Sequence, residues 1–545
     1  MRRDGVPLAP DRPGGRDRAA SEVGGSPPRL AFRPDIEGMR GVAIAFALLY
    51  HAGVPFARGG YVGIEIFFVL SGFLITKLLV AELDRTGSLS LLRFYAYRVK
   101  RLLPAAAVTL GGIAVISAML FSPVRNDVVS GDVVAAALYI INWRYTAQSV
   151  DYFAGGPEAS PVQHFWSLAI EEQFYIVWPA LLIALTWLPR RAGRGIRPAL
   201  WTAVGVVGVG SFAYNLSYTP EVPSAAYFST LTRAWELALG GALALVTLPR
   251  LSRRAAAALA IGGLAVLVYC LVSFDEQIPY PGTAALLPTM ATVALIVAGA
   301  APVAPGAVRA LSLGPVRYVG RISYSWYLWH WPTLVFAGAL WGALSAVQGL
   351  LVVAASAVPT VATHHLVESP VRHSRALGRR PRTALAVGAG CTVAAVTAGM
   401  LLFASQPNIP TAPLGDVEGA RALDRQPKPQ RKAAALRPNP REAGKDRSQM
   451  HDDGCLIDFG ATEPKPCVYG NPSSNTSVVL LGDSTAIQFG NPMLALARKH
   501  DWRLVGLGKA GCTVASTEIY SGKLERPYGE CDEWRESALR QIEDE

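Results

Sequence analysis

Arg40 and His51 lie in the first long apolar segment of the chain. Ionisable side chains are costly inside a bilayer, so each one in an apolar segment is a candidate functional residue. A spacing of eleven residues is about three helical turns, which places both side chains on one helix face, about 16 Å apart along its axis. The imidazole is suited to act as a general base, and the guanidinium supplies a fixed cation. Alternatively, Arg40 extends to the membrane surface and His51 caps the outer end of the helix.

Later apolar segments carry five more candidate residues. His164 and Glu171 are two helical turns apart, so they can bind or deprotonate an acceptor sugar at the outer mouth, or join two helices as a buried polar pair. Arg233 and Glu236 have i, i+3 spacing, which favours a structural ion pair over a role in a site. His330 lies among three tryptophans, a pattern that favours a structural role, such as an aromatic belt at the membrane surface.

A cluster of cations precedes the third apolar segment. Arg93, Arg98, Lys100 and Arg101 fall within a short stretch of the chain. We expect them to form a basic rim at the inner membrane surface that can bind phosphate groups. The alternative is that they only fix the orientation of the neighbouring helix.

Ser484 follows an apolar run in the C-terminal part of the chain. The pattern predicts a strand over 478–481, a helix over 486–498 and a second strand over 503–507. A serine at such a strand-to-helix turn can attack a carbonyl beside free backbone N–H groups. The four cysteines of this part suit disulfides in an oxidising compartment. Three pairings are possible, and nearness in sequence alone favours Cys455 with Cys467 and Cys512 with Cys531.

The composition places most of the chain in lipid. Of 545 residues, 51% are hydrophobic and only 17% charged, with a mean hydropathy of +0.28. This excludes a set of ordinary soluble domains. The net charge of +11 comes from cations in short loops, which indicates membrane orientation and argues against a nucleic-acid partner.

Eleven apolar stretches approach the roughly 20 residues that a helix needs to cross a bilayer. They lie near 39–56, 61–81, 103–121, 168–188, 200–218, 232–248, 255–273, 284–302, 322–340, 345–366 and 384–404. Basic loops follow every second apolar stretch, near 93–101, 190–197, 250–254, 309–317 and 372–382. They therefore share one side of the membrane, which the positive-inside rule assigns to the cytoplasm. The short run 133–141 fits this scheme only as a non-spanning or re-entrant segment.

These patterns predict four regions. Residues 1–30 form a disordered cytoplasmic tail without a cleavable signal peptide, and 31–404 form the transmembrane domain. Residues 405–450 are a proline-rich linker, and 451–545 are an α/β domain outside the cell. We therefore expect a polytopic α-helical membrane protein of about 11 spans, followed by an extracytoplasmic α/β domain.

Seven short motifs occur in order along about 340 residues of the apolar part. They are Arg33-Pro-Asp-Ile-Glu-Gly-Met-Arg40 followed by His51, Phe67–Phe73, Arg98–Pro104, His164–Tyr175, Tyr227–Leu237, Gly320–Pro332 and Val367–Arg372. Together they resemble the acyltransferase-3 family of bacterial membrane enzymes. The resemblance implies an O-acyltransferase of the cell membrane. It would move an acyl group from cytoplasmic acyl-CoA, with acetyl-CoA the expected donor, to a hydroxyl of an extracytoplasmic glycan, glycolipid or cell-envelope component.

The resemblance also implies roles for individual residues. Arg40 and His51 would act on the acyl group, with the imidazole as base or as acyl carrier, and Arg93, Arg98 and Arg101 would bind the phosphates of acyl-CoA. Membrane lipid, acyl-CoA and a cell-surface carbohydrate or lipid are the expected partners, and no metal is expected.

Gly482-Asp483-Ser484 resembles the first block of an SGNH hydrolase-like domain. In that family the serine is the nucleophile, a later Gly and Asn complete the oxyanion hole, and an Asp-x-x-His supplies the base. This sequence has no Asp-x-x-His and no histidine after His500. We therefore expect a truncated SGNH-like domain, in which Ser484 lacks a base because the chain is incomplete or the domain is nonfunctional.

Two other functions remain open from the sequence. One is an exporter of an amphiphile with a proton relay, although no inverted repeat or paired Gly/Pro-broken helices are evident. The other is a sensor in which the exported domain only reads a ligand.

Overall fold

The computed structural model describes residues 32–148, 152, 159–191, 195–407, 410–411, 435, 438–443, 446–522, 524 and 526–544. The predicted tail, residues 1–30, and most of the predicted linker, residues 405–450, lie outside the described residues.

Helices make up the described apolar part. They are Pro34–His51 (α1), Gly63–Thr86 (α2), Leu91–Leu120 (α3), Pro123–Ala137 (α4), Ile141–Gln148 (α5), Phe165–Arg191 (α6), Arg197–Tyr218 (α7), Pro223–Phe228 (α8), Thr230–Leu245 (α9), Arg253–Ser273 (α10), Leu286–Ala298 (α11), Gly306–Leu311 (α12), Gly314–Trp341 (α13), Ala346–Ala355 (α14), Ala357–Thr363 (α15), Ser369–His373 (α16), Arg375–Arg379 (α17) and Pro381–Ala404 (α18). A π-helical turn, His364–Glu368, joins α15 to α16.

Each predicted span coincides with a helix or with a run of consecutive helices. Seven described stretches, among them α2, α3, α6 and α18, are long and apolar enough to cross a membrane. The helical part is therefore that of a polytopic membrane protein, and the count of eleven spans stays a prediction.

The packing fixes the relative directions of the helices. Helix α1 runs parallel to α13, because Gly41 lies against the backbone of Gly320, and His51 contacts His330 ten residues further along each helix. Helices α3 and α18 share the direction of α13, whereas α2, α6 and α9 run together in the opposite direction. If the chain crosses the membrane once with each predicted span, odd-numbered spans must run opposite to even-numbered ones. The helices α1, α3, α13 and α18 are the first, third, ninth and eleventh spans, and α2, α6 and α9 are the second, fourth and sixth, so the observed directions agree with this requirement.

The α2–α9 contact depends on small residues. A Cβ atom at Gly72 would overlap the carbonyl oxygen of Leu237, and one at Gly240 would overlap that of Val69. Only glycine at these two positions allows the two backbones to approach this far.

Helices α4 and α5 form a hairpin inside the bundle. Helix α4 has 15 residues, about 22 Å in length, and is too short to cross a core of about 30 Å. The chain turns back at Tyr139, which has a φ of 54°. The Gln173 side chain of α6 donates to the Tyr139 carbonyl at 2.8 Å and to Asn142 Oδ1 at 2.9 Å. These hydrogen bonds satisfy polar groups at the tip of the hairpin, and a re-entrant segment needs such partners from the surrounding protein.

The C-terminal domain has the predicted α/β fold. Its elements are Gln449–Asp452 (α19), Leu456–Ile457 (β1), Cys467–Gly470 (β2), Ser477–Gly482 (β3), Ser484–Gln488 (α20), Gly490–His500 (α21), Arg503–Lys509 (β4), Tyr520–Ser521 (β5), Arg526–Pro527 (β6) and Gly529–Asp544 (α22). Central strand β4 pairs parallel with β1 and β3 and antiparallel with β2. The predicted helix 486–498 is divided into α20 and α21 at Phe489.

Both favoured disulfide pairings are confirmed. Cys455 is bonded to Cys467, and Cys512 is bonded to Cys531. The segment before this domain contacts the helical part, where the Arg441 guanidinium binds both carboxylate oxygens of Asp127 at 2.6 and 2.8 Å.

Candidate active site

His51 and His330 form a hydrogen-bonded pair between α1 and α13. The His330 Nδ1 lies 2.8 Å from the Tyr327 carbonyl oxygen, so it carries a hydrogen and leaves Nε2 as an acceptor. His51 Nδ1 must then donate to His330 Nε2, across 2.9 Å. His51 Nε2 is left to accept a hydrogen bond from the Tyr152 hydroxyl at 2.9 Å. The neighbours thereby set the tautomers of both rings.

His330 contacts His51 directly, whereas the sequence favoured a structural role for it. It is fully buried rather than part of a belt at the membrane surface, and its ring centroid is 5.1 Å from that of His51. Tyr152 was missed because it lies in a polar stretch between apolar segments, without a periodic pattern. No sequence signal connected Tyr152 to His51.

His164 lies beside the same pair, but it does not pair with Glu171. The predicted pairing is wrong, because Glu171 is hydrogen-bonded to other residues, whereas His164 contacts α13. Its Nε2 donates to the Leu328 carbonyl oxygen at 3.1 Å, and its ring centroid is 5.7 Å from that of His330. Among the described atoms, Nδ1 of this buried ring has no hydrogen-bond partner.

A cavity of about 1260 Å³ lies next to this cluster, separated from the histidine rings by Tyr327. One face of α2 lines it with apolar side chains, together with residues of α3, α6 and α13. Its cations are Arg40, Arg85, Arg93, Arg98, Lys100, Arg101, Arg375 and Arg379. Two carboxylates, Glu82 and Glu171, also line the cavity. The strong excess of positive charge makes it suited to a polyanion.

The predicted rim residues all reach this cavity. The Arg98 guanidinium lies 3.5 Å from Glu172 and stacks 3.7 Å from the centre of the Tyr175 ring. Arg93 lies 3.4 Å from Glu82. In the part of the chain that the structure describes, no carboxylate approaches Arg101 within 4.0 Å, so that guanidinium is available to an anion.

Arg40 lies in the cavity wall rather than at the membrane surface. Its Nη2 donates to Ser323 Oγ on α13 at 2.9 Å. His51 contacts the same helix at His330, so the two α1 residues share one helix face as predicted.

Glu171 also lies in the cavity, away from the histidines. The hydroxyls of Ser71 and Tyr175 both donate to its Oε1. Glu171 therefore does not lie beside His164 as predicted, and its place at the outer mouth stays a prediction. Glu171 belongs to the wall that carries the basic residues.

Arg233 and Glu236 form the predicted ion pair, at 3.3 Å, but a third partner was missed. Glu65 of α2 lies 2.8 Å from Arg233, and all three side chains are almost completely buried. The guanidinium also lies about 5 Å from the ring centres of Tyr227 and Tyr280. Two carboxylates therefore surround one guanidinium.

Ser484 lies at the predicted strand-to-helix turn. It is the first residue of α20, its side chain is exposed, and Asp483 caps the helix by accepting a hydrogen bond from the Thr485 N–H at 2.9 Å. Among the described residues, no histidine lies within hydrogen-bond distance of its hydroxyl. The described part of the domain thus presents the serine without a base.

Comparisons with known proteins divide the chain into the same two parts, the helical part and the C-terminal domain. Residues 33–364 match the family model for the acyltransferase domain of the acyltransferase-3 type. Residues 449–545 match the model for the SGNH domain that is fused to such domains. No solved structure matches the chain.

Curated relatives are similar to 63% of this chain. The peptidoglycan O-acetyltransferase OatA of Listeria monocytogenes is 33% identical over 360 residues, which cover 63% of this chain and 56% of that protein. The O-acetyltransferase OatA of Staphylococcus aureus is 32% identical over 353 residues, with coverage of 63% and 57%. The chain thus spans little more than half the length of these relatives.

Proposed function

Because the chain belongs to the acyltransferase-3 family, we propose that it is a membrane O-acetyltransferase that modifies a cell-envelope glycan. The donor is cytoplasmic acetyl-CoA, and the acceptor is a sugar hydroxyl of peptidoglycan or a related polymer. The observation that carries this proposal is the basic cavity beside the His51–His330 pair. It combines a site for a polyphosphate with a group able to accept a proton or an acyl group.

The cavity suits the phosphates of the donor. Eight cations and two carboxylates line it, and guanidinium groups bind phosphate with paired, charge-assisted hydrogen bonds. The basic mouth lies toward the N-terminal end of α1, which the positive-inside rule assigns to the cytoplasm. Acyl-CoA would enter there, with its apolar arm along the apolar face of α2.

His51 is positioned to act on a hydroxyl. The Tyr152 hydroxyl lies 2.9 Å from His51 Nε2, in the position that an acceptor hydroxyl would take if Tyr152 withdrew. When Nε2 takes that proton, the Nδ1–H bond to His330 stabilises the resulting imidazolium. The same nitrogen can instead attack the thioester carbonyl, which breaks the C–S bond and releases the CoA thiolate. The acetyl group then passes from this nitrogen to the acceptor hydroxyl, which loses its proton, and the free imidazole is restored.

The exported domain would act on the acceptor side. Ser484 is exposed at a turn suited to a nucleophile, and it can receive the acetyl group once a base is supplied. In this proposal the helical domain moves the acetyl group through the membrane, and the SGNH domain delivers it to the glycan outside.

The test compares His51→Ala with His365→Ala in cells in which this chain is the source of cell-wall O-acetylation. His365 is exposed and does not line the cavity, so it is a matched control. Mass spectrometry of the isolated cell wall should show that O-acetyl groups disappear with His51→Ala and persist with His365→Ala. Unchanged acetylation by a correctly inserted His51→Ala protein would contradict the proposal.

A further inference from the structure

The cavity ends one side chain short of the histidines. None of His51, His164 and His330 lines it, whereas Tyr327 does. The Tyr327 ring centroid lies 5.4 Å from that of His330 and 5.5 Å from that of His164. A single aromatic ring therefore has the cavity on one side and the histidine cluster on the other.

Two hydrogen bonds hold this ring in place. The Tyr327 hydroxyl donates to the His164 carbonyl oxygen at 2.9 Å, and it accepts from the Ser167 hydroxyl at 2.7 Å. Ser167 also lines the cavity, and the Phe67 ring lies 6.5 Å away. Because the Tyr327 side chain is only 6% exposed, rotation of the ring must break both hydrogen bonds and displace its packing neighbours.

We propose that Tyr327 is the wall that separates the donor cavity from His51 and sets the length of the acyl group that can be transferred. This inference rests on the proposed function. The acyl group is the leading end of a thioester that enters from the basic mouth, so it meets Tyr327 first. An acetyl group places only a methyl group beyond the carbonyl carbon. Each further methylene must be accommodated against the ring.

The partners of the ring connect its position to the histidines. His164 holds the Tyr327 hydroxyl through its carbonyl oxygen, while its own ring packs beside His330. When Tyr327 swings away, the path to His51 opens and the His164 backbone loses a hydrogen-bond donor. Opening of the wall and rearrangement around the histidines therefore occur together.

The test measures which acyl groups the purified full chain transfers in detergent. Acetyl-, butyryl- and hexanoyl-CoA are supplied with purified muropeptides as acceptor, and the ratio of butyryl to acetyl transfer is compared among variants. Tyr327→Ala should raise this ratio by at least about tenfold, because each methylene in an apolar pocket is worth roughly that much discrimination. Tyr327→Phe keeps the ring but loses both hydrogen bonds, and should raise the ratio about threefold.

Tyr318→Ala is the matched control, since Tyr318 lies on an exposed face of the same helix and does not line the cavity. It should keep the wild-type ratio. If Tyr327→Ala does not fold, Tyr327→Phe and Ser167→Ala decide the question, because the first removes both hydrogen bonds and the second removes one, and neither leaves a large void. Folded variants with a ratio within about twofold of the wild type would overturn the inference while leaving the proposed function intact. A wild-type protein that transfers no acyl group from any donor would instead refute the proposed function itself.

Discussion

Replacing Arg233 by methionine should destabilise the helical domain far more than the loss of an ordinary ion pair. Arg233 lies between Glu65 at 2.8 Å and Glu236 at 3.3 Å, and the three side chains are at most 1% exposed. Removing one partner of a buried pair leaves an uncompensated charge, which costs about 3–5 kcal/mol. Here two carboxylates would lose the guanidinium that lies between them, so we expect at least the upper end of that range.

The charge count gives a sharper form of this prediction. One guanidinium balances one carboxylate, so either glutamate alone is enough to neutralise Arg233. Glu65→Gln and Glu236→Gln should each change the free energy of unfolding by less than about 1.5 kcal/mol, since amide and carboxylate have nearly the same shape. The double variant leaves the guanidinium without a counter-ion and should again cost about 3–5 kcal/mol.

The assay is unfolding of the full chain in mixed micelles by increasing dodecyl sulfate, followed by far-ultraviolet circular dichroism. Arg317→Met is the matched control, because its pair with Glu37 is partly exposed, at 29% and 15%. A pair of that kind contributes about 0–1 kcal/mol. If Arg233→Met were no more destabilising than Arg317→Met, or if each single glutamine variant were as harmful as the double variant, the charge-balance argument would be refuted.

Three further outcomes follow from the same structure. Arg101→Ala should raise the KM for acetyl-CoA about tenfold with a smaller effect on kcat, because a charge-assisted hydrogen bond contributes about 1.5–3 kcal/mol; Arg254→Ala, on an exposed surface, is the control in steady-state kinetics. Replacing Cys512 and Cys531 by serine opens a loop with a sequence separation of 19, and should lower the free energy of unfolding of the C-terminal domain by about 3 kcal/mol in denaturant titrations of the full chain. Arg441→Asp should speed amide hydrogen exchange at residues 438–443, and the added change Asp127→Arg should restore slow exchange if the pair holds that segment.

The sequence predicted the elements well, because long apolar runs with capping residues and basic flanks determine helices locally. The α/β start of the C-terminal domain and both disulfides were also predicted, and the family resemblance is confirmed by the match over residues 33–364. The predictions that failed concerned contacts between segments that are distant in the sequence. The His164–Glu171 pairing considered one helix alone, whereas His164 contacts α13 and Glu171 contacts α2. Glu65 and Tyr152 were missed because their partners are separated from them by about a hundred residues or more.

Three residues on one face of α13 position the successive parts of the proposed site. Ser323, Tyr327 and His330 have i, i+4 and i+7 spacing, so their side chains lie on one face of the helix, over about 10 Å of its length. The first holds Arg40 in the basic cavity, the second closes that cavity, and the third orients His51. Because α1 runs parallel to α13, a rotation of α1 would disturb both the Arg40 and the His51 contacts. The proposed phosphate-binding end and the proposed acyl-accepting end are therefore connected by two packed helices. If the proposal holds, a change at Ser323 or Gly41 will alter transfer at His51 although neither residue contacts the acyl group.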